Sequence, residues 1–272
     1  MHRDTPRLLL LMLPAGAFFG AFFLLPMAQL FLIGGTGKLG WAAYSAILTD
    51  RIYFSALLWT MGVATATTVA TLIISGISGV FLQRHKFPGN AALVAMLTLP
   101  LAFPGVVIGF MVIMLAGRQG LIGTVTEAIT GEKLVFAYSM AGLFMGYVYF
   151  SIPRTILTII AATEKLDPRI EEAARSLGAS PWRVVRDVIL PGLKPAFISS
   201  GAICFATAVG AFGTAFTLAT RINVLPMVIY TEFTLSANIA MAAALSFVLG
   251  AVTWLVLALA RTAAGSTVAA AG

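Results

Sequence analysis

Long apolar runs, each near the thickness of a bilayer, alternate with short polar stretches along this chain. A hydrocarbon core takes about 20 apolar residues per helix. Six runs reach that length: Leu8 to Ile33, Ser55 to Leu82, Ala91 to Ala116, Leu134 to Ala162, Pro195 to Ala219, and Ile239 to Ala260. The pattern predicts an all-α, polytopic membrane protein with six transmembrane helices, residues 1–272 forming one transmembrane domain. Pro100, Pro104 and Pro153 are placed to kink or end helical segments. Gly16 with Gly20, Gly105 with Gly109, and Gly142 with Gly146 form G-x-x-x-G pairs. Such pairs let helix backbones approach closely where lipid offers no hydrophobic force between them.

One polar interruption, residues 163–192, carries helix signals of its own. Asp167 is placed to cap a helix whose first position is Pro168, where a missing N–H costs nothing. Ile170, Ala173, Ala174 and Leu177 then recur at helical spacing and make one face. Gly178 ends this helix as a left-handed C-cap. Ser180 and Pro181 repeat the start signal, and a second helix carries Arg183, Arg186 and Asp187. Pro191 is expected to stop that helix just before the fifth run.

Composition agrees with lipid as the main solvent. The chain is 60% hydrophobic and 10% charged, against about 25% charged in a soluble domain. Its formal charge of +7 comes from 17 Lys and Arg against 10 Asp and Glu. In a membrane protein such an excess is first explained by basic cytoplasmic loops, not by nucleic acid. With both termini inside, Arg3, Arg7, Arg84, Lys86, Arg154, Lys165, Arg169, Arg175, Arg183, Arg186, Lys194 and Arg261 lie on or near the inner side, and Lys38, Arg51, Arg118, Lys133 and Arg221 outside. This split places the 163–192 insert in the cytoplasm. The first run follows Arg3 and Arg7 but is far longer than a signal-peptide core and lacks a clear small-x-small cleavage site, so it reads as a retained span. Cys204, the one cysteine, can form no intrachain disulfide and reads as a small core residue.

Three readings of the insert compete. A helix-turn-helix DNA reader also has two helices around a turn, but this unit is tethered to spans at both ends and lacks a third helix. A basic loop drawn to anionic lipid needs only positive charge, which leaves Glu171, Glu172, Asp187 and the caps unexplained. A folded docking surface for a soluble partner accounts for all of them. No catalytic or metal constellation is visible, since His2 and His85 lie far apart. Gly34-Gly35-Thr36-Gly37-Lys38 hints at a phosphate loop, but Leu32 and Leu39 occupy the places where a Walker A needs Gly and Ser/Thr. It reads as a flexible outer loop.

The insert also carries a resemblance. Glu172-Ala173-Ala174, three residues, Gly178, nine residues, Val188, one residue, then Leu190-Pro191 resembles the EAA loop of permease subunits in binding-protein-dependent ABC importers. Val188 stands where the family pattern has Ile. Weaker similarity covers Trp41-Ala42-Ala43-Tyr44 with Asp50 and Tyr53, then Leu99-Pro100-Leu101-Ala102-Phe103-Pro104, and Asp167-Pro168-Arg169. The branch it most resembles includes spermidine/putrescine permeases and their phosphonate, opine and thiamine relatives. The resemblance implies a type I importer fold and a multi-pass protein of the bacterial inner membrane that is not itself an enzyme. Its implied partners are a second, similar or identical permease, two cytoplasmic ABC ATPases holding ATP and Mg, an extracytoplasmic solute-binding protein, and membrane lipid. It implies no cofactor bound by this chain and no nucleic acid. Glu171, Glu172, Ala173, Ala174, Arg175 and Gly178 would then meet an ATPase, with Leu190 and Pro191 anchoring the second helix at the membrane. The solute would be a polyamine, aminophosphonate, opine or similar small polar compound. A self-sufficient secondary transporter or channel is the rival, but its need for intramembrane ion ligands meets acid-poor spans.

Candidates for the pathway follow from polar and aromatic residues in the spans. Arg154 lies inside the fourth run, about ten residues before Glu164. At that depth it is either functional, or it snorkels or faces a partner subunit. Tyr147 and Tyr149 on the same run, and Phe212, Thr214 and Phe216 on the fifth, are candidate lining, or else packing. Glu232 either attracts a cationic solute at the outer mouth or balances Arg221.

Overall fold

The computed structural model describes residues 5–218 and 222–264, with side chains for 11–218 and 222–262. His2, Arg3, Ala219 and Arg221 lie outside the described residues. All regular structure among the described residues is helical. Six helical stretches are long and apolar enough to cross a membrane: Leu11–Gly34, Arg51–Arg84, Gly105–Thr130, Met140–Glu164, Pro181–Val209 and Ile239–Thr262. The number matches the six apolar runs, but the boundaries differ in ways that matter.

The first stretch comprises α1 (Thr5–Phe19), a π-turn at Gly20–Leu24, and α2 (Leu25–Gly34). Then come α3 (Ala42–Thr49), α4 (Arg51–Arg84), α5 (Asn90–Thr98), α6 (Gly105–Ala116), α7 (Leu121–Thr130) and α8 (Met140–Glu164). The insert holds α9 (Pro168–Ser176) and α10 (Pro181–Val184). After these lie α11 (Leu190–Val209), α12 (Phe212–Leu218), α13 (Leu225–Thr234) and α14 (Ile239–Ala264).

The third apolar run is not one helix. A 3₁₀ turn at Leu99–Ala102 follows α5, and Phe103 and Pro104 are extended before α6 begins. Pro100 and Pro104 each lack an N–H and cannot continue an α-ladder. Pro153, by contrast, leaves α8 unbroken. The fourth helix starts at Met140, not Leu134, because the Ser139 side chain caps it by accepting from the Gly142 amide. The fifth run is broken at Gly210 and Ala211, between α11 and α12.

Pro191 does not stop the insert's second helix. The helical path runs from Pro181 through a π-turn at Val185–Ile189 straight into α11. The Leu190 amide bonds to the Val185 carbonyl five residues back. A π-turn already departs from the i→i−4 ladder, so a proline just after it removes one bond and the path continues.

Two compact units make up the chain. The first comprises Met1–Leu57 and Val228–Val252. Its aromatic cluster joins Phe31, Trp41, Tyr44 and Phe247, with ring centroids 5.0–5.4 Å from Phe31. The Tyr44 hydroxyl donates to the Phe31 carbonyl at 2.7 Å, and burial raises its phenol pKa above the ordinary value. The Gly34–Lys38 segment is therefore an ordered turn packed on Tyr44 and Trp41, not the flexible loop expected. Among the described residues, a Cβ at Gly16 or Gly20 would meet nothing within 4 Å, so this G-x-x-x-G pair serves no close approach there.

The second unit comprises Leu58–Met227 and Thr253–Gly272. Here the other two glycine pairs serve close approach. A Cβ at Gly109 would lie 2.6 Å from the Thr217 Cβ, and one at Gly146 would lie 2.9 Å from the Thr214 Cγ2. These gaps seat α12 against α6 and α8. Neighbouring hydroxyls bond to the backbone beside the breaks: Thr214 donates to the Gly105 carbonyl at 2.9 Å, and Tyr147 to the Ala211 carbonyl at 2.7 Å.

Candidate functional site

The insert folds as its caps dictate. The Asp167 carboxylate accepts from the Arg169 amide at 2.9 Å, and Pro168 opens α9. At the other end Gly178 adopts φ +81°. Its amide donates to the Arg175 carbonyl and that of Ala179 to the Ala174 carbonyl, the paired bonds of a Schellman turn. Ser180 caps the next helix by accepting from the Arg183 amide at 3.4 Å. The loop is thus a rigid object with its terminal groups satisfied.

Which face of α9 looks inward is not what apolar spacing suggests. Ala174 packs on a cluster of Ile159, Val184, Ile189 and Leu193. Glu171 is buried and pairs with Arg84 at the end of α4. Arg84 also donates to the Leu166 carbonyl at 3.2 Å. Ile170, Ala173 and Leu177 face outward instead: Leu177 is 89% exposed and Ile170 56%. Glu172, Arg175 and Trp182 are exposed as well, but they line the groove on the other side of α9. Of the loop residues singled out in sequence, Glu172, Ala173, Arg175 and Gly178 are exposed, while Glu171 and Ala174 hold the loop to its own chain. Leu190 and Pro191 are exposed; Ile189 and Leu193 anchor the second helix. Sequence reasoning missed Arg84, Trp182 and Leu193. Leu193 could have been found from the helical phase of α11 itself; Trp182 lies beyond the π-turn, which shifts that phase.

Behind the loop lies an open groove of about 840 Å³, lined by residues that include Ile73, Ile77, Phe81, Arg84, Trp182 and Phe197. Its walls are apolar, and its polar groups gather at the end nearest α9.

The candidate pathway residues divide. Tyr147 and Thr214 lie inside the bundle, where their hydroxyls satisfy the backbone at the two breaks; neither reaches an open face. Tyr149 and Phe216 are exposed. Phe212 and Phe216 pack their rings at 5.2 Å. Glu232 accepts from the Tyr53 hydroxyl at 3.1 Å within the first unit. Arg154 is exposed on α8 and donates to the Thr207 hydroxyl of α11 at 3.3 Å. No group of metal-ligating side chains occurs among the described residues.

Residues 74–264 match the family model described as "Binding-protein-dependent transport system inner membrane component". The chain belongs to that family. It is a multi-pass inner-membrane permease component of the importer class, and its relatives are transport proteins, not enzymes. The permease is similar to the molybdenum transport system permease protein ModB of Escherichia coli K12, at 33% identity over 189 residues, 68% of this chain and 81% of the relative. It is similar to the sulfate transport system permease protein CysT of the same strain, at 29% identity, covering 73% of this chain and 70% of that one. In fold it resembles a chain of a bacterial ABC transporter involved in the import of the acidic polysaccharide alginate, with a TM-score of 0.81 and 16% identity over 96% of each chain. The same kind of transporter, solved in complex with an alginate pentasaccharide-bound periplasmic protein, gives a TM-score of 0.82. The chain is also similar to the putative 2-aminoethylphosphonate transport system permease protein PhnU of Salmonella typhi, at 27% identity over 89% of this chain and 86% of that one; the polyamine-type specificity suggested by sequence resemblance is not supported by these relatives, which are molybdenum, sulfate and aminophosphonate permeases.

Proposed function

We propose that the permease forms the translocation pathway of an ATP-driven importer for a small anionic solute. A solute-binding protein delivers the solute from the outer side. A second permease, similar or identical, completes the pathway, and two cytoplasmic ATPases holding ATP and Mg dock on the insert. The solute class rests on the molybdenum and sulfate permeases the chain is similar to, with the acidic cargo of its structural neighbour in the same direction. Orientation rests on the basic residues gathered at the insert's end of the spans.

One observation carries the reading: a capped helix presents Ile170, Ala173 and Leu177 to open space on its outer face and exposes Glu172 and Arg175 on the side that borders the groove. A soluble domain does not leave such a face bare without a partner. The path from there is stiff, since α10 continues through the π-turn into α11. Moving a two-state transporter from 1:99 to 99:1 takes about 5.5 kcal/mol of differential binding. A rod that begins at the docking face can deliver that bias to the bundle. In a reconstituted transporter, Glu172→Lys should leave membrane insertion intact and abolish ATP hydrolysis stimulated by the loaded binding protein. Normal stimulation in that variant would overturn the reading. Transport by the chain alone in liposomes, without ATPases, would instead make it a self-sufficient carrier.

A further inference from the structure

The seam between α8 and α11 is polar in a part of the chain that is otherwise hydrocarbon. Tyr147, Ser151, Arg154 and Thr155 line it from α8; Ser200, Cys204 and Thr207 line it from α11. At 1.5 Å per residue, Arg154 lies about 15 Å from the Glu164 end of its helix and about 21 Å from the Met140 end. An arginine at such depth that faced lipid would be strongly disfavoured, so its open face belongs to water or protein. Snorkelling towards the insert would send the side chain to the near boundary. It goes the other way: its partner Thr207 lies about 26 Å along α11 from Leu190 at the insert end. A small cavity of about 10 Å³ beside the guanidinium is lined by Phe150, Ser151, Thr155, Cys204 and Thr207. Among the described residues Arg154 makes this one hydrogen bond and no ion pair.

A guanidinium carries five donors in a fixed fork suited to oxyanions. Here the described contacts use one of them, and the charge has no carboxylate to balance it. We infer that Arg154, steadied by Thr207, is the anion-selecting contact of the translocation pathway, taking the oxyanion group of the solute in transit. This rests on the permease reading and adds the place and the chemistry of selection. A fixed positive charge beside a narrow aqueous route concentrates anions and repels cations. The Thr207 hydroxyl holds the fork away from the near headgroups, and the solute replaces the missing counter-charge.

The test needs no knowledge of the solute. In membranes carrying the assembled transporter, a Cys204→Ala/Phe150→Cys variant, which keeps Thr207 and puts its thiol on the same small cavity, is treated with an anionic sulfonatoethyl methanethiosulfonate and with its cationic trimethylammonium counterpart. Each rate is normalised to the reagent's rate with a free thiol. The anionic reagent should react about tenfold faster, as expected for one nearby charge in a partly aqueous site. Adding Arg154→Gln should remove the preference, and Arg154→Lys should keep it. Three results would each overturn the inference: a residue 150 thiol that reacts with neither reagent, equal normalised rates with Arg154 present, or a preference that survives Arg154→Gln. The first would place Arg154 against lipid or a partner subunit, and the second would show its charge cancelled by a partner's carboxylate. If ATP hydrolysis still responds to the loaded binding protein in that preparation, the permease reading stands while this one falls.

Discussion

Replacing Arg84 by Met would strand Glu171 in the body of the protein. The Arg84 and Glu171 side chains are 18% and 11% exposed, so most of the pair is out of water. Breaking a buried ion pair from one side costs about 3–5 kcal/mol, because the remaining charge keeps its desolvation penalty. The residual exposure of both side chains places the expected cost near the lower end. This cost falls on the docking of α9, since Arg84 also holds the Leu166 carbonyl just before it. An opening penalty of about 3 kcal/mol corresponds to roughly a hundredfold change in the population of the detached state. Hydrogen exchange at the Glu171–Ser176 amides reads that population directly. Protection there should fall by about two orders of magnitude in Arg84→Met, while amides in the middle of α8 hold theirs. The double variant Arg84→Met/Glu171→Leu should recover most of the protection, since an apolar pair of similar volume replaces a buried ion pair at little cost. Wild-type protection in the single variant would refute the strut. Failure of the double variant to recover would refute the electrostatic explanation of it.

Two further outcomes follow from packing and from the helix breaks. Gly109→Leu must displace Thr217, whose Cβ would lie 2.6 Å from the new Cβ; it should destabilise the purified complex by about 1–3 kcal/mol, seen as a lower melting midpoint, whereas Gly16→Leu should leave the midpoint unchanged. Tyr147→Phe leaves the Ala211 carbonyl without its 2.7 Å donor and should cost about 1–3 kcal/mol in the same melt, with Tyr149→Phe as the near-neutral control.

The spans were legible because lipid imposes a length and an apolar composition that local sequence alone can meet. The caps at Asp167, Gly178 and Ser180 were legible for a similar reason: each is satisfied within a few residues. What sequence did not carry was direction. Ile170, Ala173 and Leu177 share a face by spacing, and a face of that kind is ordinarily turned inward. Here the inward face is set by Arg84, which is 87 positions from Glu171 in sequence. No local rule links the two. Pro191 misled because the π-turn before it already departs from the α-ladder, so the proline removes one bond without ending the path. Tyr147 and Thr214 misled because polar groups in a span suggest solute, whereas the broken backbone beside them had first claim on their hydroxyls.

The π-turn at Val185–Ile189 also fixes an angle. A fifth residue in a turn otherwise built from 3.6 rotates everything beyond it by about 100° about the axis. Trp182 and Arg183 therefore point where an uninterrupted α-helix would not aim them, while Leu193 keeps its place in the core. Deleting one residue within that turn would swing Trp182 to a new bearing and pull Val184 out of the cluster it shares with Ile159, Ile189 and Leu193. A single backbone irregularity thus sets both the bearing of the aromatic tip and the seat of the rod against its neighbour, so neither changes without the other.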